Sequence, residues 1–299
     1  MIIAITGSSG LVGTALADAL EVDGHVVRRL VRRPVRDADR EIRWDPAAGT
    51  IESAKLGGID AIVHLAGENL AAHRWTEATK KRIRDSRIKS TRLLCQAIAS
   101  LASKPSVLVS ASAVGYYGDR GDEPVDESSP PGRGFLSELC QQWEAETHPA
   151  RDADIRVVNT RLGVVLSPHG GALAKMLTPF KLGLGGIIGS GRQYLSWITL
   201  DDAVRVIQFS LGAAAVCGPV NTVAPQPATN REFTKTLGRV LGRPTILPMP
   251  AFAARLAFGE MADEMLLSGV RVEPQALRSA GFEFRHPELE PALQGMLTH

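Results

Sequence analysis

Three glycines carry the first chemistry in the chain. Gly7, Gly10 and Gly13 follow the apolar run MIIAIT and open the helical pattern LVGTALADAL. Each spacing serves an anion. Gly7 lets the chain turn tightly, Gly10 lets the backbone approach a pyrophosphate, and Gly13 lets the helix pack close to the strand. The helix N-terminus adds free N–H groups and a partial positive charge. Elsewhere a glycine-rich strand-to-helix turn is only a connection. Here the strand before it and the helix after it predict a nucleotide site at Gly7, Ser9, Gly10, Leu11, Val12 and Gly13.

The second apolar run selects the nucleotide. It reads HVVRRLVRRP, with Arg32 and Arg33 at its end, about 20 residues past the turn, and no acid there. An acid at this place holds the ribose 2′-hydroxyl of NAD, whereas NADP needs a cation for its 2′-phosphate. The planar arginine fork suits that phosphate. One arginine of the pair is expected to be solvated, the other on the phosphate, and the expected cofactor is NADP. His64 lies in an apolar strand and reads as a satisfied core residue. No second ligand is spaced to form a metal site with it. Cys95, Cys140 and Cys217 are odd in number, widely separated and without a CxxC, so neither disulfides nor zinc are expected.

Short apolar runs at Met1–Thr6, Val26–Leu30, Ala61–Leu65, Ser106–Ser110 and Ile155–Asn159 must position these groups. Helical patterns at Leu11–Glu21, Glu77–Ala102 and Phe135–Thr147 alternate with them. Continuous apolar strands separated by helices indicate a parallel sheet buried on both faces. The second half is less regular: a helix and a glycine-rich loop in GGALAKMLTPFKLGLGGIIGSGRQ, a helix starting at Asp201–Asp202, a helix at Arg231–Leu241, a strand at Thr245–Pro248 and a further helix. Hydrophobic residues at 44% and charged residues at 22% fit a packed globular chain. A net charge of +2 argues against nucleic acid and membrane surfaces. No apolar run reaches the roughly 18 residues of a membrane span, and the opening has no basic flank, so a cytoplasmic protein without a signal peptide is expected.

TGSSGLVG, DAIVHLAGE (Asp60–Glu68) and SASAVGYYG (Ser110–Gly118) resemble the extended and atypical short-chain dehydrogenase/reductase superfamily. LAGENL, FLSELCQQWEAE, RLGVVLSPHGGAL, PFKLGLGGIIGSGRQYLSWITLDD, TNREFTKTLGRVLGRP and GFEFRHPELEPAL are similar to one branch of it, the NADP-binding epimerase-family proteins of the SDR39U-like type. These segments span nearly the whole chain in order. The resemblance implies an α/β chain. A Rossmann-type doubly wound parallel sheet would occupy 1–165 plus about 192–230, and a small C-terminal α/β substrate lobe about 166–191 plus 231–299. It implies that Leu65, Ala66 and Gly67 lie along the cofactor, that Glu68 and Arg74 stand near it or form a solvated loop pair, and that Val164 lies beside the nicotinamide.

The resemblance also exposes a gap. Redox members of the superfamily use a serine or threonine with the tyrosine and lysine of a YxxxK helix. The lysine lowers the tyrosine pKa, and the tyrosine acts as general acid or base. Ser112 matches the serine. In FLSELCQQWE, however, Leu136 stands at the tyrosine position and Cys140 at the lysine position. One residue earlier, Phe135 and Leu139 serve no better. Tyr117, beside Ser112, is a candidate substitute phenol, with substrate contact or packing as the favoured reading. Cys140 reads as a small buried hydrophobe. Arg192 and Gln193 are expected to reach a polar substrate group, Trp197 to form a wall, and Asp201 and Asp202 to cap a helix. The basic run in EATKKRIRDSRIKS reads as a solvated face. In dimeric relatives this helix is a subunit contact, so monomer and homodimer both stay open.

Two functions follow. One is an NADP-dependent oxidoreductase or epimerase-like enzyme acting on a small polar carbonyl or alcohol, with Ser112 polarising the substrate oxygen. The other is a non-catalytic NADP(H)-binding sensor or scaffold.

Overall fold

The computed structural model describes residues 1–297. From the N-terminus, β1 (Ile2–Thr6), α1 (Leu11–Val22), β2 (Val26–Val31), β3 (Glu41–Asp45), β4 (Thr50–Ile51), β5 (Ala61–His64), α2 (Glu77–Ala99) and β6 (Val107–Ala113) alternate as the apolar pattern requires. Next come β7 (Pro124–Val125), α3 (Phe135–Ala145), α4 (His148–Arg151), β8 (Arg156–Leu162) and β9 (Val164–Ser167). The rest comprises α5 (Gly171–Lys181), β10 (Tyr194–Leu195), β11 (Trp197–Thr199), α6 (Leu200–Gly212), β12 (Gly218–Thr222), β13 (Ala228–Thr229), α7 (Asn230–Val240), α8 (Ala251–Phe258), β14 (Arg271–Val272), α9 (Gln275–Ser279) and α10 (Leu289–Leu297).

Eight strands form one sheet in the order β12-β8-β6-β5-β1-β2-β3-β4. β1 pairs in parallel with β2 and with β5, β2 with β3, and β5 with β6; β4 is antiparallel. This is the expected doubly wound sheet. Its strands are apolar because both faces are covered: Ile3, Ala4, Ile5, Ile62, Val63, Leu108 and Val109 are fully buried. The chain leaves β1 towards β2 and β3, then returns to β5 on the other side. The strand order therefore reverses between β1 and β5, and in open α/β sheets ligands bind outside the carboxyl ends at that point. Gly7 follows β1 there, and Leu65 follows β5.

Two compact units divide the chain. The first comprises residues 1–112, 139–160 and 204–220 and has its core on the sheet, with Leu30, Ile42, Trp44, Ile62, Leu94 and Leu108 among its residues. The second comprises residues 113–138, 161–203 and 221–299, of which the last two lie outside the described residues. These bounds give the second unit 113–138, 161–165, 192–203 and 221–230, which the sequence expectation placed with the nucleotide domain. The second core includes Leu166, Leu173, Trp197, Phe233, Leu237 and Leu293.

Three expectations for the second unit need correction. Thr245–Pro248 is not a strand; Pro244 and Pro248 lack the ladder donors, and only Met249 makes a bridge, to Ile188. Trp197 forms no wall, because it is fully buried in the core with Nε1 donating to Gln226 O at 2.9 Å. Asp202 does more than cap. Thr199 Oγ1 accepts from Asp202 N at 3.1 Å, while the buried Asp202 carboxylate accepts from Arg285 N at 3.0 Å and His286 N at 2.8 Å. Asp202→Ala strips two backbone donors of their acceptor, so an unfolding titration should show a loss of about 2–4 kcal/mol. A loss below about 0.5 kcal/mol, the ordinary surface value, would contradict that role.

Candidate functional site

The glycine turn has the geometry an anion needs. Gly7 adopts φ +68°, and a Cβ there would lie 2.7 Å from Leu65 C and O. A Cβ on Gly13 would lie 2.2 Å from Gly7 O, so helix and turn touch through backbone alone. Gly10 differs: its Cβ would meet a single atom, Gly7 O at 3.3 Å, and the residue is exposed. Gly10 is the N-cap of α1 without a side-chain cap, and the first turn holds no acid. The N–H groups of Leu11, Val12 and Gly13 have no carbonyl one turn before them within the helix. An open, positively polarised helix end with no competing carboxylate fits a nucleotide pyrophosphate.

The structure divides the arginine pair. Arg33 binds Glu41 with both η nitrogens, one at 2.9 Å to Oε2 and the other to Oε1, and donates to Pro34 O at 2.9 Å. The Arg33 hydrogen bonds push the buried Glu41 carboxyl down to about 2. Arg33 is thus committed to Glu41, an acid that sequence reading missed because it starts the next strand. Arg32 is exposed at the end of β2 and makes no hydrogen bond or ion pair among the described residues.

Behind the turn, a hydrogen-bonded file fixes the end of β5. Thr6 Oγ1 accepts from Leu65 N at 3.1 Å and Ala66 N at 3.2 Å. It also bonds His64 Nδ1 at 2.7 Å, while His64 Nε2 meets Thr91 Oγ1 at 2.9 Å and Trp143 Nε1 donates to that same hydroxyl at 2.9 Å. His64 is the satisfied core histidine expected, and burial pushes its pKa down to about 3. Gly67 is exposed. Glu68 N donates to Ser86 Oγ at 3.0 Å, its carboxylate meets Arg82 Nε at 3.2 Å, and Arg74 lies exposed in the following loop.

Arg87 is the exception on α2, where Lys81, Arg82 and Lys89 form the solvated basic face expected. It is 9% exposed, sits 5.1 Å over the Trp143 ring, and donates to Glu68 O at 3.1 Å and Ile83 O at 3.2 Å. A Cβ on Gly67 would lie 3.3 Å from its Cζ, so the guanidinium floors the cradle segment. Burial pushes its pKa down. The signal lay in the spacing: Arg87 falls between Ile83 and Leu94 on the same inward row.

Ser112 is the last residue but one of β6, at the same carboxyl side of the sheet as Gly7 and Leu65. It is buried, and its Oγ donates to Glu144 Oε1 at 2.6 Å. Glu144 was not singled out in the sequence. It lies one helical turn beyond the buried Cys140 on α3, at a position half-exposed to solvent. Leu136, at the tyrosine position, has its N–H bonded to Glu264 Oε2 at 3.3 Å, and Glu264 Oε1 takes Phe135 N at 3.2 Å.

Tyr117 does not fit the candidate role of substitute phenol. Its side chain is fully buried in the second unit, its hydroxyl donates to Asn221 Oδ1 at 2.7 Å, and Arg161 Nη1 donates to it at 2.9 Å. Burial pushes its pKa up to about 12, so its proton is held at neutral pH. Arg161 also stacks 3.5 Å from the Tyr116 ring. The cluster packs the unit, and packing is the alternative that holds. Gln193 is likewise tied to backbone, donating to Leu266 O at 2.8 Å and Ile188 O at 3.0 Å, whereas Arg192 is exposed. Val164 is half-exposed, with its N–H donating to Ser196 O at 2.8 Å. Among the described residues no group of His, Cys, Asp or Glu is arranged to hold a metal ion, and no helix is long and apolar enough to cross a membrane.

Residues 3–221 match the family model described as the NAD dependent epimerase/dehydratase family, and residues 249–296 match a domain of unknown function, DUF1731. The chain is 48% identical to the epimerase family protein MT2273 of Mycobacterium tuberculosis, covering 98% of this chain and 96% of that one. A crystal structure of the human epimerase family protein SDR39U1 (isoform2) with NADPH is similar at a TM-score of 0.92 and 38% identity, over 100% of both chains. A structure of the nucleoside-diphosphate sugar epimerase from Corynebacterium glutamicum is similar at a TM-score of 0.82 and 37% identity, over 99% of this chain and 58% of that one.

Proposed function

Because this chain belongs to the NAD dependent epimerase/dehydratase family, we propose that it binds NADP(H) at the Gly7–Gly13 turn and acts as an oxidoreductase or epimerase-like enzyme. Its substrate is a small polar carbonyl or alcohol. The observation that carries this reading is the shared carboxyl side of the sheet: the glycine turn and the Leu65–Gly67 segment follow the carboxyl ends of β1 and β5, and Ser112 lies in the last two residues of the adjacent parallel β6. Leu11, Val12 and Gly13 N–H groups hold the pyrophosphate, with Ser9 beside them. Leu65, Ala66 and Gly67 line the cofactor, Glu68 and Arg74 stand at its flank, and Val164 meets the nicotinamide. When bound, the nicotinamide supplies hydride exchange, and Ser112 holds the substrate oxygen. Human SDR39U1, crystallised with NADPH, supports the choice of nucleotide.

Arg32 carries the 2′-phosphate, because Arg33 is already neutralised by Glu41. A charge-assisted hydrogen bond to a phosphate contributes about 1.5–3 kcal/mol. Arg32→Ala should therefore weaken NADPH roughly ten- to a hundredfold in a fluorescence titration and leave NADH unchanged. Equal losses for both nucleotides would refute the assignment.

A second reading draws on Leu136 and Cys140, which leave α3 without a phenol or an amine where the resemblance expects them. It makes the protein a non-catalytic NADP(H) sensor or scaffold. NADPH oxidation over a panel of small carbonyls separates the two. Turnover supports the enzyme; tight NADPH binding with silence across the panel supports the sensor.

A further inference from the structure

Ser112 has a single hydroxyl proton, and it points at Glu144 Oε1 from 2.6 Å. A serine engaged in this way offers a second partner only lone pairs. It accepts from a substrate hydroxyl and cannot at the same time donate to a substrate carbonyl. By taking the serine's proton in a hydrogen bond, the Glu144 carboxyl oxygen sets the serine as a proton acceptor. The wider surroundings favour the same direction. Trp143, the residue before Glu144, is locked by Thr91 and by the Arg87 guanidinium, so α3 holds Glu144 rigidly towards the end of β6. Glu144 itself is half-exposed, which gives a proton a way out to water.

We propose that Glu144 is the proton acceptor of this site, reached through Ser112, in place of the tyrosine and lysine that α3 lacks. The proposal rests on the NADP-dependent reading above. In alcohol oxidation the substrate C–H electron pair leaves as hydride to the nicotinamide of NADP⁺, and the carbinol C–O becomes a carbonyl. The substrate hydroxyl proton passes to Ser112 Oγ as the serine proton passes to Glu144 Oε1. Glu144 then releases it to water. Reduction runs the same path backwards: protonated Glu144 donates to Ser112, and Ser112 donates to the carbonyl oxygen as hydride arrives. Glu144 acts through Ser112 and is therefore a positioning and relay residue, whereas Ser112 touches substrate.

The test uses the full chain with NADP⁺ and 1,2-propanediol, and with NADPH and hydroxyacetone, within the wider carbonyl panel. NADPH fluorescence titrations of wild type, Ser112→Ala and Glu144→Gln should agree within about threefold, since neither residue belongs to the phosphate cradle. Infrared spectra of the protein without nucleotide should show the Glu144 carboxylate band, assigned by its absence in E144Q, moving in S112A. Turnover should fall roughly a hundredfold in E144Q, within the range of a lost general-base step, with partial recovery in Glu144→Asp. The double variant should be no slower than the worse single one, because residues acting as one unit are not additive. The wild-type solvent deuterium isotope effect should reflect two protons in flight, and E144Q should lose that signature. Wild-type turnover with E144Q within threefold, an unmoved carboxylate band, or additive losses would overturn the relay alone. Absent NADPH binding, or silence of the wild type over the whole panel, would overturn the reading beneath it and the relay with it.

Discussion

Gly13→Ala is expected to lose roughly a hundredfold in NADPH affinity, two lost charge-assisted N–H contacts being enough for that factor. The cause is steric. The new methyl would stand 2.2 Å from Gly7 O, 2.9 Å from Gly7 C and 2.9 Å from Ser8 Cα. All three are backbone atoms that cannot rotate aside, so α1 must lift from the turn. The first-turn N–H groups then no longer converge on one anion. Stability should fall as well, by about 1–3 kcal/mol, the usual cost of overpacking. Alanine's better helix propensity offsets at most about 1 kcal/mol of that. Gly10→Ala is the informative contrast. Its methyl meets one atom at 3.3 Å and otherwise faces open space. The fold should hold within about 0.5 kcal/mol, as at an unobstructed surface position. NADPH should still weaken, because the methyl occupies the path of the pyrophosphate. Denaturant melts and fluorescence titrations of both variants give the comparison. A Gly13→Ala protein that binds NADPH like the wild type would place the nucleotide elsewhere.

That contrast also marks what a sequence can and cannot disclose. The glycine turn was legible because its parts lie within about a dozen consecutive residues and each answers to a local constraint. The parallel sheet was legible for a similar reason: strands covered on both faces are written as continuous apolar runs. The pairings that define the site are of another kind. Glu41, at the start of β3, meets Arg33, which lies in the loop after β2, and Glu144 meets Ser112 from 32 residues away. Tyr117 ends on Asn221, 104 residues on. No local pattern encodes such partners, so Tyr117 read as an available phenol and Glu144 went unread. Arg87 is the intermediate case. Its place on the row of Ile83 and Leu94 was visible, but the charge of its neighbours obscured it. β3 was missed because it is short and carries Glu41, Arg43 and Asp45 among its apolar residues, and β4 because it is only Thr50–Ile51.

His64 should set the acid limit of the fold, and the direction follows from its burial. The ring is fully enclosed, and desolvation pushes its pKa from 6.5 down to about 3. Between those values the folded chain keeps His64 neutral while the unfolded chain protonates it. The unfolded state then binds the extra proton, so stability falls as pH drops from about 6.5 towards 3, with a limiting slope of about 1.4 kcal/mol per pH unit. Glu41 acts in a lower window. Its folded pKa near 2 lies below the ordinary 4.5, so its contribution is intact above 4.5 and is lost as pH falls from there towards 2. The interval from 6.5 to 4.5 therefore separates the histidine from that ion pair. His64→Gln removes the titration and should flatten the stability curve across this interval relative to the wild type. At pH 7 it should be less stable by about 1–3 kcal/mol, for disturbed hydrogen bonds to Thr6 and Thr91. Nucleotide binding shares the same support. The Thr6 hydroxyl that meets His64 also accepts from Leu65 and Ala66, the segment assigned to the cofactor. The folded ring stays neutral across this interval, so NADPH affinity of the wild type should hold there while stability falls, and should decline only as pH approaches 3. Urea titrations at half-unit steps of pH, run beside NADPH titrations, measure both curves. Parallel slopes in wild type and His64→Gln between pH 6.5 and 4.5 would remove His64 from the account of acid sensitivity.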